Sequence, residues 1–272
     1  MTGSVVVLAH ARDLGAAAVA RAVATLAGPA RVVLVRPERL AAARWSHRVA
    51  PDGTARTVVE PAGGPRLCSE DVGAVLHRIR YLSLPGFESA PPADRDYAYS
   101  ELHAVVGSWL LGLRDRTIGA VGPHGTVAGP PSARAWLALA LDCGLPVGRS
   151  VVATRGDLAG GSTVATRGDV AGRPGAAGVS SFAPVELTPR PAVRVSVVGD
   201  SVTGAPTDAI AAGCRRLAVR TGCPLLDVLL SEDVEVVAVD PVPPLRTRWA
   251  VDATARLLLD TAHRPVPMAV PG

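Results

Sequence analysis

Lysine, asparagine and glutamine are absent from all 272 residues, so each of the 28 basic side chains is an arginine. Any site in the chain must therefore be built without a compact ammonium or a neutral side-chain amide, from guanidinium, carboxylate, hydroxyl and imidazole groups. Ile, Phe, Tyr and Met are scarce while Ala, Val, Gly, Pro and Arg abound, the pattern that codon bias in a high-GC bacterium produces. Aromatics make up only 3% of the chain, which leaves packing to Val, Leu and Ala. The four cysteines, Cys68, Cys143, Cys214 and Cys223, form no CxxC pair. That spacing excludes a zinc finger and a disulfide framework and predicts buried free thiols. Long apolar runs are missing too: MTGSVVVLAH has no basic flank and is too short for a signal peptide or a span, so a cytoplasmic protein with no membrane partner is expected. The net charge of +4 comes from arginines scattered singly among Asp and Glu. Without a basic tract or interleaved aromatics, nucleic acid is not an expected partner.

What remains is a 48% hydrophobic chain long enough for one large or two modest domains. SVVVLA at 4–9, an Ala-rich helix after Asp13 that ends at Gly28, and RVVLV at 31–35 predict a β-α-β unit and hence a parallel sheet. Residues 51–66 read as a Pro/Gly-punctuated loop region, and AVLHRIR at 74–80 as a further strand. YAYSELHAVVGSWLLGL at 97–113 is helical, with Leu102, Val105, Val106, Trp109, Leu110 and Leu113 on one stripe. IGAVG at 118–122 predicts a strand and SARAWLALALDCG at 132–144 a helix capped by Ser132 and closed by Gly144. Residues 148–191 hold two copies of VATRGD, read either as similar strand-plus-turn segments or as a twice-used anion-binding loop. VRVSVVGDSVTG then predicts a hairpin turning at Gly199 and Asp200, DAIAAGCRRLAVRTG a helix, PLLDVLL and VEVVAVD two strands, and TRWAVDATARLLLDTA a last helix.

Several chemistries lack their motifs. No GxSxG marks a nucleophile turn, ARDLGAAA stands where a GxGxxG would follow the first strand, and the six histidines share no HxxxH or HxH spacing.

The collinear order of HRIRYL, the Glu101 helix, SARAWLALALDCGLPVG with VVAT, VRVSVVGD, and LLDVLLSEDVEVVAVDPVPP resembles the ATP-grasp ligases, in particular the peptide-modifying, RimK-like branch. The resemblance implies an α/β chain with a pre-ATP-grasp-like parallel-sheet domain over 1–125, a linking helix and shortened central subdomain over 126–192, and a reduced ATP-grasp-like α+β subdomain over 193–272. It also implies ATP phosphates held by lysines, magnesium held by acidic residues and an asparagine, and a carboxylate activated as an acyl phosphate. The two lysine positions correspond to Ala133 or Arg134 and to Arg167, and Arg194 joins them as a phosphate-site residue. Asp227 and Asp240 match the metal ligands, while Ala238 stands where a glutamate is expected. Arg78, Arg80 and Glu101 correspond to a substrate cleft.

With lysine and one metal ligand missing, the sequence points to a degenerate ATP-grasp-like protein that needs no cofactor and binds a peptide, a small carboxylated metabolite or a partner enzyme in a biosynthetic pathway. The alternative is a working ATP- and Mg-dependent carboxylate-amine ligase with an arginine-based phosphate site. A structural subunit, for example of a homodimer, is the third reading.

Overall fold

The computed structural model describes residues 3–51, 54–122, 125–127, 133–148, 151–153, 185–187 and 191–264. Arg167, Ser132 and nearly all of the VATRGD repeat lie outside those residues.

The chain opens with the expected unit: β1 (Ser4–Leu8), α1 (Leu14–Ala27) and β2 (Val32–Val35), the strands pairing in parallel. After a short α2 (Pro37–Ala41), the sequence departs from expectation. Within 51–66, read as a loop region, lies β4 (Ala55–Glu60), which forms an antiparallel sheet with β3 (Arg44–Val49) before it and the two-residue β5 (Leu67–Cys68) after it. These strands escaped notice because β3, RWSHRV, buries no residue fully and alternates half-buried Trp45 and His47 with exposed polar positions. Side-chain bonds fasten it instead: Trp45 Nε1 donates to the Leu40 carbonyl, and the His47 ring bridges Thr57 Oγ1 and Ser108 Oγ, each at 2.8 Å.

Next, β6 (Val72–His77) pairs in parallel with the free side of β1. α3 (Pro92–Gly112) begins five residues ahead of the expected start because Pro91 and Pro92 set the backbone for a first helical turn. The strand predicted over 118–122 contracts to β7 (Thr117–Ile118). Gly119 ends it at φ 110°, where a Cβ would stand 2.5 Å from the His77 carbonyl oxygen, a turn no other residue could make in place. The result is a four-stranded parallel sheet in the order β2-β1-β6-β7.

α4 (Ala133–Asp142) and the two-stranded ribbon of β8 (Val151–Ala153) and β9 (Val185–Leu187) lead to the second large sheet. There β10 (Val193–Val198) turns through Gly199 and Asp200 into β11 (Ser201–Thr203), as the sequence predicted. α5 (Asp208–Thr221) follows, capped by Thr207 and closed by left-handed Gly222. β12 (Leu225–Leu230) and β13 (Val236–Asp240) complete an antiparallel sheet in the order β11-β10-β12-β13. The chain ends on α6 (Arg248–His263), capped by Thr247.

Three cores hold this together. α3 covers one face of the parallel sheet, packing Val106, Trp109 and Leu110 on Val6, Leu8 and Val75. α4 and α5 cover one face of the antiparallel sheet through Trp136, Ile210 and Leu217. Between the sheets lies α6, whose Ala250, Ala255 and Leu258 share a core with Val5, Leu76 and α1 on one side and with Val198 and Leu225 on the other. Cys143, Cys214 and Cys223 are buried free thiols, as expected, and burial raises Cys214 to about 11, which keeps it protonated and unreactive. Cys68 is only half-buried, a correction that follows from its place on the thin third sheet. Among the described residues no helix is long and apolar enough to cross a membrane.

Candidate functional site

In the parallel sheet, the chain order reverses between β1 and β6, and the crevice that such sheets leave at their carboxyl ends falls there. His10, Arg12 and Asp13 follow β1, Arg78, Arg80 and Tyr81 follow β6, and the end of β13 with the loop into α6 brings Asp240, Val242, Arg246 and Thr247 across from them. Together they wall a cleft of about 900 Å³.

The predicted pair Arg78 and Arg80 both reach this cleft, with different duties. Arg78 is only 4% exposed, and its Nε donates to Asp13 Oδ2 at 2.7 Å while Nη1 donates to the Pro243 carbonyl at 2.9 Å. Asp13 meanwhile accepts the Ala16 N–H through Oδ1 as the cap of α1. One carboxylate thus ties the start of α1, the end of β6 and the loop into α6 together. Gly15 is required at the same junction, because a Cβ there would stand 2.9 Å from Leu245 Cβ. Arg80 is 61% exposed, donates to the Val242 carbonyl at 3.1 Å and lies 3.9 Å from Asp240 Oδ1. The structure does not bring Glu101 to this place: it sits exposed on α3, off the stripe that packs inward, and lines no part of the cleft.

Arg12, Arg80, Arg246 and Arg248 line the cleft with Asp240 as the acid not already bonded to a buried arginine. The N-termini of α1 and α6 open on it as well. Guanidinium groups and two helix dipoles of the same sign favour an anionic ligand. Beside them His10 stacks on Tyr81, ring centroids 4.0 Å apart, and neither of its ring nitrogens has a hydrogen-bond partner. Burial holds its pKa below the ordinary histidine value, with Glu38 and Asp13 opposing the shift, so the ring is neutral at pH 7.

The second part of the site lies on the face of the antiparallel sheet turned toward α6. Asp227 and Asp240 are direct cross-strand partners, with Ser196 opposite Asp227 on the other side. Residues so placed hold their Cβ atoms about 5 Å apart. Asp227 is buried, and its Oδ2 accepts a short hydrogen bond from Arg194 Nη1. Asp240 Oδ1 accepts the Val242 N–H at 2.9 Å, fixing the turn into the proline-rich loop. Among the described residues the other oxygen of each carboxylate has no hydrogen-bond partner. A smaller cavity of about 210 Å³ opens beside Asp227, lined by Arg194, Leu245, Arg246 and Thr247.

Asp227 lines the smaller cavity and Asp240 the larger cleft, and two carboxylates at paired strand positions are the ligand type that suits a magnesium ion completing its shell with water and phosphate oxygens. Ala238, opposite Leu229, contributes no oxygen. Among the described residues no three His, Cys, Asp or Glu side chains converge. The guanidinium of Arg194, expected at the phosphates, rests on Asp227 beside the same cavity. Arg134 sits with Ala133 at the exposed start of α4 and lines neither cavity, while Arg167 lies outside the described residues.

Sequence reasoning missed His10, Arg12, Tyr81 and Arg246 as cleft residues and saw Asp13 only as a cap. The one local signal was the position of each, immediately beyond a strand end or before a helix cap.

No protein-family model matches the sequence, and no curated protein is similar enough to be matched. Solved structures do match. A Chryseobacterium gregarium RiPP-associated ATP-grasp ligase in complex with ADP and a leader and core peptide superposes with a TM-score of 0.63 at 14% identity, over 95% of this chain and 97% of that one. The macrocyclase MdnB from Microcystis aeruginosa gives 0.61 at 15%, over 94% and 99%. The ATP-grasp ligase PsnB, complexed with a minimal precursor, gives 0.61 at 19%, over 96% and 99%. The chain therefore has an ATP-grasp-like fold over nearly its whole length, with a parallel N-terminal sheet and antiparallel sheets after it.

Proposed function

We propose that this chain is an ATP- and magnesium-dependent ligase that activates a carboxylate of a peptide and joins it to an amine or similar nucleophile. The observation that carries this is the direct pairing of Asp227 with Asp240 at the border of an arginine-lined cleft, within an ATP-grasp-like fold. Each aspartate offers one unbonded oxygen for the metal. The nucleotide, when bound, would supply the phosphoryl group that activates the carboxylate, and the metal would offset the charge of its phosphates. The chain's own part is electrostatic: Arg194 and Arg246 at the smaller cavity offset negative charge on the phosphates, and Arg12 and Arg80 hold the substrate carboxylate. Arginine can do this without lysine, because it stays charged and can grip an anion with two parallel N–H groups. A peptide as substrate is supported by the precursor, leader and core peptides bound to the structural neighbours.

A second reading, a peptide binder without catalysis, is favoured by Ala238 and by the grip of Arg194 on Asp227. Release of ADP separates the two. Incubated with ATP, Mg²⁺ and an acidic peptide, the chain releases ADP on the ligase reading, and Asp240→Ala abolishes the release. No turnover by the unaltered chain, with the peptide bound, establishes the binder instead.

A further inference from the structure

All three tyrosines and one of the two phenylalanines fall between residues 81 and 99, and each is exposed: Tyr81 by 59%, Phe87 by 40%, Tyr97 by 69% and Tyr99 by 38%. Trp109 and Trp136, in contrast, are buried in cores. Apolar side chains scattered singly over a surface need no explanation, but a cluster in a chain so poor in aromatics marks a contact surface. The first turns of α3 carry two of them, and residues 92–97 all stand clear of the body.

This surface has a hollow, and its walls are fixed in advance. A groove of about 580 Å³ runs between Tyr81 and Tyr99 over Ser100, His103 and Thr126. Tyr99 Oη donates to the Leu82 carbonyl at 3.0 Å and its ring meets His103 edge-on at 4.3 Å, while Tyr81 is held by its stack on His10. Arg80 and Tyr81 line both this groove and the arginine cleft, so the two hollows adjoin at these side chains. Either alone is the size of a small-molecule site, of roughly 300–1,000 Å³; joined end to end they suit an elongated ligand. Charge gives the ligand a direction. The cleft end is rich in arginine, whereas the segment that carries the tyrosines exposes Glu88, Asp94, Asp96 and Glu101 against one arginine, Arg95, an excess of carboxylates that disfavours acidic residues.

We infer that this aromatic rim docks an extended polypeptide segment whose acidic end enters the arginine cleft and whose apolar, carboxylate-free end lies across Tyr81 and Tyr99. The inference deepens the peptide reading above and rests on it for the peptide's role as substrate. Large, rigid aromatic side chains give the contact area, and Arg80 at the junction sets the register of the acidic residue.

Fluorescence anisotropy with three labelled twelve-residue peptides tests it. The first carries two glutamates at one end and leucine and phenylalanine among serines beyond them; the second adds glutamates at the far end; the third keeps the first pair and replaces the apolar residues with glycine and serine. The first is expected to bind the full chain at least tenfold tighter than either of the others. Tyr99→Ala, at a residue that lines the groove and not the cleft, removes most of that advantage and leaves the third peptide's affinity unchanged. Tyr81→Ser, at the more exposed of the two groove tyrosines, also reduces the advantage. Equal binding of the first and third peptides, or an advantage that survives the tyrosine substitutions, overturns the inference. So does self-association through this face, seen as a concentration-dependent mass that Tyr99→Ala abolishes. Tyrosine-dependent binding without ADP release would fail the ligase reading alone, and ADP release with no tyrosine-dependent binding would fail this inference alone.

Discussion

Arg78 and Arg80 are two residues apart in sequence, yet their loss has different consequences. Arg78 is buried against Asp13 and the Pro243 carbonyl, so Arg78→Ala leaves a largely buried carboxylate without its partner and cuts the tie to the last loop. Urea unfolding is expected to show a loss of about 3–5 kcal/mol, the range for breaking a buried pair from one side. Arg80→Ala, at an exposed position, changes stability by less than about 1 kcal/mol and instead weakens binding of an acidic peptide. Asp240 separates structure from chemistry in another way. Asp240→Asn keeps an oxygen for the Val242 N–H and with it most of the stability, but loses the charge a metal needs. ADP release should fall as far in Asp240→Asn as in Asp240→Ala, with the melting temperature lowered only in the alanine variant. At this scale Arg78, Arg80, Asp227 and Asp240 were singled out in the sequence, whereas Arg12 and Arg246 were not. Their partners were not, because Asp13 and Arg78 are bonded across 65 positions of sequence and His10 meets Tyr81 only after β1 and β6 pair.

Among the elements, β6 links the core to the site: Arg78 follows its last residue, and that residue, His77, is buried beneath α3 and the loop after β7. Burial lowers its pKa from 6.5 to about 4, and the Thr126 carbonyl opposes the shift only in part. Between those values the unfolded chain takes up a proton that the folded chain refuses. His77's contribution to stability is therefore complete above about pH 6.5 and falls away as the pH drops toward 4, by roughly 3 kcal/mol in all at 1.36 kcal/mol per unit. Urea unfolding at a series of pH values should show this slope, and His77→Leu should flatten it over that window. An unchanged slope in the variant would place the titration elsewhere. Elements with a full apolar period, such as β1, α1, β10 and β12, could be read from the sequence directly. β3 could not, since its hold on the body comes from the Trp45, His47 and Ser108 bonds and leaves little apolar pattern to read.

For the whole molecule, α6 is the connecting piece. It packs between the parallel and antiparallel sheets and presents its N-terminus, with Arg246 and Thr247, where the cleft and the smaller cavity meet. The order of the pieces along the chain suggested this architecture, with Arg78 and Arg80 just beyond β6 and Asp227 and Asp240 on adjacent strands of the antiparallel sheet. The basic character of the cleft was harder to see: Arg12, Arg80, Arg246 and Arg248 are scattered through the sequence, and only folding gathers them. Ala238 and the absence of lysine weighed toward lost catalysis, whereas the paired aspartates and the arginine-lined cleft support ATP chemistry without lysine. Calorimetric titration of a non-hydrolysable ATP analogue into the chain, with and without Mg²⁺, and into Asp240→Asn, tests that account most directly. Saturable binding that needs Mg²⁺ and weakens at least tenfold in the variant is the expected result; no binding, or binding indifferent to both metal and Asp240, contradicts it.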